Sequence, residues 1–252
     1  MEGTAVLGTG ALGGGSASFM TSALNAGTNS ITAVYGGDSN FAGSTSPALT
    51  QKVNKAGSSV SVVSSKNPAA FGATVTFTAA LESTPWPKRC SGSGTPTGMV
   101  TFKNGGATLG TGMLSGGKAS FSTAKLAVGS HSITAVYGGD GNFNPSTSAV
   151  LKQTITKAAT TASVVSSKNP SISGKAVTFT ATVESTTTGT PTGTVTFKNG
   201  GATLGTRTLS GGEARYTTST LAVGSHSITA VYGGSTSYSG STSPPLTQKV
   251  NP

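Results

Sequence analysis

The sequence contains one cysteine, two histidines, one tryptophan and six acidic residues in 252 positions. The single cysteine, Cys90, excludes an intramolecular disulfide, so the fold must depend on its apolar core. No stretch approaches the ~18 consecutive apolar residues that a membrane span requires, and we expect no membrane insertion. The first residues lack a basic segment followed by an apolar one, so no signal peptide is predicted in this chain.

Charged residues are also scarce, at 9% of the chain, and the formal net charge is +10. The sixteen basic residues are spread from Lys52 to Lys249 without a run of four or more. This pattern does not favour specific nucleic-acid binding. It is typical of a soluble surface that attracts anionic partners weakly.

What the sequence does contain is an internal repeat. The phrase SITAVYGG occurs at 30–37, 132–139 and 227–234, and the segment 157–252 restates 55–156 with a period of about 95 residues. Such a repeat predicts a tandem array of similar domains. We predict three domains, here called the first, second and third modules: residues 1–54, 55–157 and 158–252. The second has an inserted loop at 84–94, where the third is shorter.

Alternating apolar residues predict the strands of each module. In the third module Val177, Phe179, Ala181 and Val183 alternate with threonines, and the second module repeats the pattern from Val75 to Leu81. A period of two indicates a strand with one buried face. Further alternating runs, separated by turns rich in glycine and proline, bring the total to seven short strands. The sequence therefore predicts an all-β antiparallel sandwich.

The phrases TPTGTVTFKNGGATLGT, LAVGSHSITAVYGG and GDGNF resemble the bacterial immunoglobulin-like repeat domains found in tandem in large secreted and surface proteins. The resemblance covers essentially the whole chain. It implies a seven-stranded Greek-key sandwich in each complete module. It also implies an extracellular or cell-surface location and a role as a spacer or adhesive unit without catalytic residues.

The first module matches only the second half of a complete module. We expect it to lack three strands, which would leave Phe19, Ile31, Ala33 and Tyr35 without most of the opposing sheet. An uncovered sheet invites a second chain. The sequence predicts that this half module is either disordered or completed by self-association into a homo-oligomer.

Repetition separates scaffold from candidate functional residues. The repeated Tyr35, Tyr137 and Tyr232 are interpreted as core residues. His131 and His226 occupy the same turn, where the first module has Asn29, so we predict a hydrogen bond from each side chain to the turn backbone. We therefore do not interpret them as catalytic.

A nucleophilic triad of Cys90, His131 and Asp140 is rejected on topology, because the histidine begins the strand whose far end leads to the aspartate. No GxSxG, HExxH or paired-carboxylate motif occurs. We predict no enzyme, and a hydrolase with an unrecognised site is the second alternative.

The loops beginning at Asp38 and Asp140 carry oxygen ligands at alternating positions, as calcium sites do. The third module has Ser235 and Ser237 instead. We predict turns stabilised by the Asp side chain, with Phe41, Phe143 and Tyr238 tucked onto the sandwich. No metal or cofactor is expected, and calcium is the alternative.

The insertion carries the only tryptophan, Trp86, with Lys88 and Arg89 on a proline-stiffened loop. With Asp140 and Asn142 it forms the candidate ligand-binding set, suited to a polysaccharide, another polyanion or a cell-surface ligand. The structural reading is that Trp86 plugs the end of its module or the joint with its neighbour. Cys90 is a candidate for an intermolecular disulfide.

These observations favour a non-catalytic structural or adhesive stalk segment of a larger extracellular bacterial protein. The first alternative is a carbohydrate- or polyanion-binding module that uses the Trp86 loop.

Overall fold

The computed structural model describes residues 5–84 and 94–252, and these residues contain strands and turns but no α-helix. Accordingly, the described part of the chain has no helix with the length and hydropathy needed to cross a membrane. The chain forms two compact units. The first takes in the described residues of Met1–Val63, Phe77–Phe121 and Ser132–Leu151, and the second takes in Ser64–Thr76, Ser122–His131 and Lys152–Pro252.

Short strands form the first module. They are β1 (Gly27–Ile31), β2 (Val34–Tyr35), β3 (Ser44–Thr45) and β4 (Leu49–Val53). β1 pairs antiparallel with β4, and β2 pairs antiparallel with β3. The described residues before Gly27 form no strand, although they align with two strands of the complete modules.

The second module contains nine strands. They are β5 (Gly57–Ser64), β6 (Ala69–Ala70), β7 (Val75–Thr84), β8 (Met99–Asn104), β9 (Ala107–Met113), β10 (Lys118–Thr123), β11 (Gly129–Tyr137), β12 (Ser146–Thr147) and β13 (Leu151–Thr156). One sheet has the order β10-β7-β5, and the other has the order β6-β13-β11-β8-β9 with β12 added on β11.

The third module repeats this arrangement. Its strands are β14 (Thr160–Ser166), β15 (Ser171–Ile172), β16 (Val177–Ser185), β17 (Thr194–Asn199), β18 (Ala202–Thr208), β19 (Glu213–Thr218), β20 (Gly224–Tyr232), β21 (Ser241–Thr242) and β22 (Leu246–Asn251). The sheets have the orders β14-β16-β19 and β15-β22-β20-β17-β18, with β21 on β20. Seven strands per complete module are longer than two residues, so the predicted tandem sandwich is confirmed.

The alternating residues of β16 form the centre of the third core, as predicted. Val177, Phe179, Ala181 and Val183 are each at most 2% exposed, and they pack with Phe197, Tyr232 and other buried residues of the facing sheet. The threonines between them face outward, as the pleat of a strand requires. In β7 the corresponding residues from Val75 to Leu81 are likewise buried.

The alanine between consecutive modules belongs to the sandwich that follows it. Ala158 is fully buried, donates a backbone hydrogen bond to Ser237 and accepts one from Ser239. Ala56 makes the same bonds with Asn142 and Asn144. The short segments between consecutive modules are therefore partly built into the modules, because the backbone of each alanine is paired with the loop before the last long strand.

The first module leaves its apolar residues exposed. Phe41 is 68% exposed, whereas the corresponding Phe143 and Tyr238 are 3% and 4% exposed. The prediction that Phe41 tucks onto its sandwich is wrong, because the described half module has no opposing sheet to receive the ring.

Candidate ligand-binding loops

Of the predicted ligand-binding set, Asp140 and Asn142 lie in the loop that follows β11. Trp86, Lys88 and Arg89 lie outside the described residues, as does the disulfide candidate Cys90. The structure therefore places the two polar residues, and the role of the other four stays a prediction.

Both carboxylate oxygens of Asp140 accept hydrogen bonds from the chain. Oδ2 accepts from the backbone N and the Oγ1 of Thr97, both at 2.9 Å, and Oδ1 accepts from the backbone N of Asn142 and of Phe143, both at 2.8 Å. Burial raises the pKa of Asp140, but these hydrogen bonds outweigh burial and hold the pKa well below its ordinary value. The carboxylate ties two loops together.

Asn142 also makes hydrogen bonds within the first unit. Its Oδ1 accepts a hydrogen bond from the backbone N of Ala26 at 2.9 Å, and its Nδ2 donates to Oδ1 of Asn25 at 3.3 Å. Both described members of the candidate set therefore make structural contacts, which leaves them little capacity for a ligand.

The predicted side-chain-stabilised turn is present in all three copies. Oδ1 of Asp38 accepts from the backbone N of Asn40 and of Phe41, as Oδ1 of Asp140 does in the second module. In the third module Oγ of Ser235 accepts from the same two positions at 3.3 Å. The serine repeats the turn because a hydroxyl oxygen can accept in the same place as a carboxylate oxygen.

The repeated tyrosines have different hydroxyl partners. Tyr35 donates to Oδ2 of Asp38 at 2.8 Å, whereas Tyr232 donates to the carbonyl of Thr192 at 2.6 Å. The hydroxyl of Tyr137 is buried and has no hydrogen-bond partner of good geometry among the described residues. Burial, followed by the effect of the Asp140 carboxylate, raises the pKa of Tyr137 to about 12.

The histidines make the predicted turn contact. Nε2 of His131 lies 2.8 Å from the carbonyl of Ala127, and Nε2 of His226 lies 2.8 Å from the carbonyl of Ala222. In the first module Asn29 donates to the carbonyl of Asn25 at 3.1 Å from the same position. The prediction that any suitable side chain bonds the turn backbone is confirmed.

Among residues 5–84 and 94–252, no three His, Cys, Asp or Glu side chains converge as metal ligands would. Oδ1 of both Asp38 and Asp140 is directed at backbone N–H groups of its own loop. Calcium at these loops would have to compete with those hydrogen bonds.

A second place of interest lies within the second unit, where a turn of the second module meets the third. The ring of Phe71 packs edge-on against Tyr238, and the carbonyls of Phe71 and Gly72 accept hydrogen bonds from the hydroxyls of Thr187 and Thr188 at 2.6 and 2.5 Å. The third module has Ser173 where the second has Phe71. Phe71 is thus a non-repeated residue that joins consecutive modules.

Sequence reasoning missed a non-repeated group on β18 and β19. Arg207, Glu213 and Arg215 line a groove of about 400 Å³ in the third module, where the second module has Gly112, Lys118 and Ser120. They differ from the residues at the same positions of the second module, which is a signal in the sequence, whereas they form no run of basic residues.

The described folds are similar to known solved structures. The fibronectin(III)-like modules of Clostridium thermocellum CbhA share 18% identity, over 75% of this chain and 92% of that chain, with a TM-score of 0.30. A 1.5-MDa bacterial ice-binding adhesin shares 14%, over 87% and 73%, with a TM-score of 0.31. The Yersinia pseudotuberculosis adhesin InvE shares 16%, over 77% and 59%, with a TM-score of 0.34. Similarity this low carries no argument about fold or function.

No curated protein sequence matches the chain. A family model does: the bacterial Ig-like domain (group 3) matches residues 1–54, 62–156 and 164–251. These matches cover most of the chain in three consecutive copies. The chain therefore belongs to the bacterial Ig-like domain family, group 3.

Proposed function

We propose that this chain is a structural or adhesive segment of a larger extracellular bacterial protein, and that it has no catalytic activity. The repeated polar residues support this proposal because they are engaged in folding. His131 and His226 bond turn backbones, and Asp38 and Asp140 bond the loops that they begin.

The observation that carries the proposal is the joint formed by Phe71 and Gly72. Hydroxyl groups of the third module hold the carbonyls of this turn, and Tyr238, a buried core residue, packs against the Phe71 ring. A stalk must transmit force from one module to the next. A joint in which a core residue touches the preceding module suits that task.

Single-molecule force spectroscopy of the full chain, held at its two ends, tests this function. Each complete module of about 95 residues should unfold in a separate event that lengthens the chain by roughly 30 nm, given ~3.3–3.6 Å per extended residue. Two such events at distinct forces are expected. Extension without resistance would contradict a load-bearing role.

The non-catalytic part of the proposal has its own test. The chain is incubated with ester and glycoside substrates, beside His131→Ala and Trp86→Ala variants. We expect no turnover above the buffer control. Turnover that persists in Trp86→Ala and is lost in His131→Ala would instead establish a hydrolase.

We also propose that the first module associates with a second copy of this chain. Phe41 is 68% and Val34 72% exposed, and β1 and β4 form a sheet of only two strands. Exposed apolar surface beside unpaired strand edges favours association.

Sedimentation velocity over a wide concentration range tests this association. The unmodified chain should form oligomers, and Phe41→Ser should weaken them. The control Val165→Ser, at an exposed strand position of the third module, should have no effect. A monodisperse monomer whose first 54 residues are protected from hydrogen exchange would contradict this.

The extracellular location is part of the proposal and follows the family. Antibodies raised against the chain should label intact cells that produce the parent protein. Labelling that requires permeabilised cells would contradict it.

A further inference from the structure

The third module differs from the second at several neighbouring positions on one side of the sandwich. Its residues Arg207, Glu213, Arg215 and Tyr216 stand where the second module has Gly112, Lys118, Ser120 and Phe121. Two of the chain's three arginines are in this set. The two modules otherwise share their strand order, so these substitutions are changes to a surface on a constant scaffold.

Arg207, Glu213 and Arg215 line a groove beside the edge strands β18 and β19, which belong to different sheets. The groove has a volume of about 400 Å³ and is open to solvent. Its walls are formed by polar, charged and small side chains. They are Arg207, Thr208, Ser210, Glu213, Ala214 and Arg215.

The corresponding position in the other modules leaves no room for a side chain. A Cβ atom added to Gly112 would lie 2.6 Å from the carbonyl oxygen of Ser120, and one added to Gly10 would lie 2.7 Å from that of Ser18. The backbone there approaches too closely to admit a side chain. In the third module the same position holds an arginine, so the strands there leave space that the other modules lack at this position.

Arg207 is held in place before any ligand arrives. Its Cζ lies 5.1 Å from the ring centroid of Tyr216, and its Nη1 donates to the carbonyl of Thr206 at 2.8 Å. Tyr216 in turn stacks on Phe197, which is fully buried, at 5.8 Å between centroids. This hydrogen bond uses one of the five N–H groups that a guanidinium carries. The charge is thus positioned by the core with donors to spare.

Arg215 is paired with a group that a ligand can replace. Its Nη2 lies 3.1 Å from Oε2 of Glu213, and the two side chains are 69% and 46% exposed. Exposed ion pairs of this kind are weak. An incoming anion can take the place of the Glu213 carboxylate at Arg215.

We propose that this groove binds the carboxylate or sulfate groups of an acidic polysaccharide through Arg207 and Arg215. The Tyr216 ring already contacts Arg207 and Phe197, and the groove itself is lined by polar, charged and small side chains, which favours a charged ligand over an apolar one. Residues 157–252 contain seven Lys or Arg and two Glu, and this excess attracts polyanions to the module. The hydroxyls of Thr208 and Ser210 suit sugar hydroxyls. This inference rests on the proposed adhesive role and specifies a ligand class for it.

The test uses the full chain with the double variant Arg207→Gly/Arg215→Ser, whose new residues are those of the second module. The control Lys175→Ala/Lys249→Thr also removes two positive charges from the third module and also inserts residues that the second module carries at those positions. Thermal unfolding confirms that both variants keep the fold. Binding is measured by calorimetry to heparin, which carries sulfate and carboxylate, and to polygalacturonate, which carries carboxylate alone.

We expect the site variant to bind about tenfold more weakly or worse, as the loss of charge-assisted hydrogen bonds requires, and the control to change less than about threefold. Heparin binding without polygalacturonate binding would identify sulfate as the recognised group. Equal losses in both variants, or no binding by the unmodified chain, would overturn the proposal. So would equally tight, equally sensitive binding to poly-L-glutamate, because the ligand would then be an acidic polypeptide.

The variant Glu213→Gln should change the binding affinity in the opposite direction. It frees Arg215 from its partner, so we expect tighter binding to the same polysaccharide. The control Glu184→Gln makes the same charge change elsewhere in the module and should have a smaller effect; an equal gain in the two would contradict the site. Force spectroscopy reads out the structural role independently, so a failed binding test leaves that role standing.

Discussion

Phe71 and Tyr238 meet edge to face, with ring centroids 5.6 Å apart and planes at 84°. This is a favoured geometry for two aromatic rings. The contact lies beside Gly72, which has a φ of +77° and close backbone neighbours.

Gly72→Ala should destabilise the second unit. A Cβ there would lie 2.2 Å from the carbonyl oxygen of Thr188, in addition to the strain of a positive φ. Gly174 is the matched control, because its φ is +78° and an added Cβ meets nothing within 4 Å. Calorimetry should show a free energy of unfolding lower by about 1–3 kcal/mol for Gly174→Ala, and a clearly larger loss for Gly72→Ala. Equal losses of stability would mean that the backbone around Gly72 can move to accept a Cβ atom without a further loss of free energy.

The repeated tyrosines should respond differently to loss of the hydroxyl. Tyr232→Phe removes a 2.6 Å hydrogen bond to Thr192 and should cost about 0.5–1.5 kcal/mol. Tyr137→Phe removes a buried hydroxyl without a well-placed partner and should change stability little at neutral pH. Urea unfolding of the two variants measures the difference, and a larger loss for Tyr137→Phe would contradict it.

Tyr137 also predicts a loss of stability at high pH. The folded pKa, raised to about 12, lies above the unfolded value near 10, so above pH 10 the unfolded state loses a proton that the folded state keeps. Stability should therefore fall as the pH rises above 10. Tyr137→Phe should reduce that slope.

The lowered pKa of Asp140 predicts a loss of folding stability at low pH. Its pKa is lower in the folded chain than in the unfolded one, so its contribution to stability is fully present above about pH 4 and is lost as the pH falls further. The stability difference between the unmodified chain and Asp140→Asn should shrink between pH 4 and pH 2, as followed by urea unfolding. Asp140→Ser, which copies Ser235 of the third module, is the control for loop geometry. A difference that stays constant with pH would show that the charge of Asp140 has no role.

His226 should tolerate asparagine but not alanine. Asn29 makes the corresponding bond to the turn carbonyl in the first module, so His226→Asn can retain it, whereas His226→Ala loses about 0.5–1.5 kcal/mol. Thermal unfolding of the two variants measures the difference in their stability. Equal losses would mean that the ring is needed for its packing or for its hydrogen bond with Nδ2 of Asn199 at 2.9 Å.

Trp86 lies outside the described residues, so its role is best tested by its own fluorescence. As the only tryptophan, it reports on the inserted loop without interference. Its emission is recorded while glycans, polyanions and calcium are titrated. A red-shifted emission that responds saturably to one ligand class would support the predicted site, and a blue-shifted, unresponsive one would show that the loop is packed as structure. The first result would place a second site apart from the Arg207 groove.

Much of the fold could be predicted from short sequence patterns. The alternation from Val177 to Val183 indicated a strand with one buried face, and the polar residues at the start of each loop indicated its turn. Both depend on neighbours within a few positions, where side-chain direction and local hydrogen bonds follow from spacing alone. The exchange of His131 for Asn29 predicted a turn hydrogen bond for the same reason.

The tertiary structure decided the rest. That the Asp140 carboxylate is fully used, that Phe71 reaches Tyr238 and that Phe41 is uncovered depend on segments distant in the chain. The groove at Arg207 depends on how closely the edges of two sheets approach, a distance of a few ångströms that no periodicity encodes. The sequence alone therefore determined the repeat, the strands and the core, whereas contacts between sheets and modules determined which surfaces stay open to a partner.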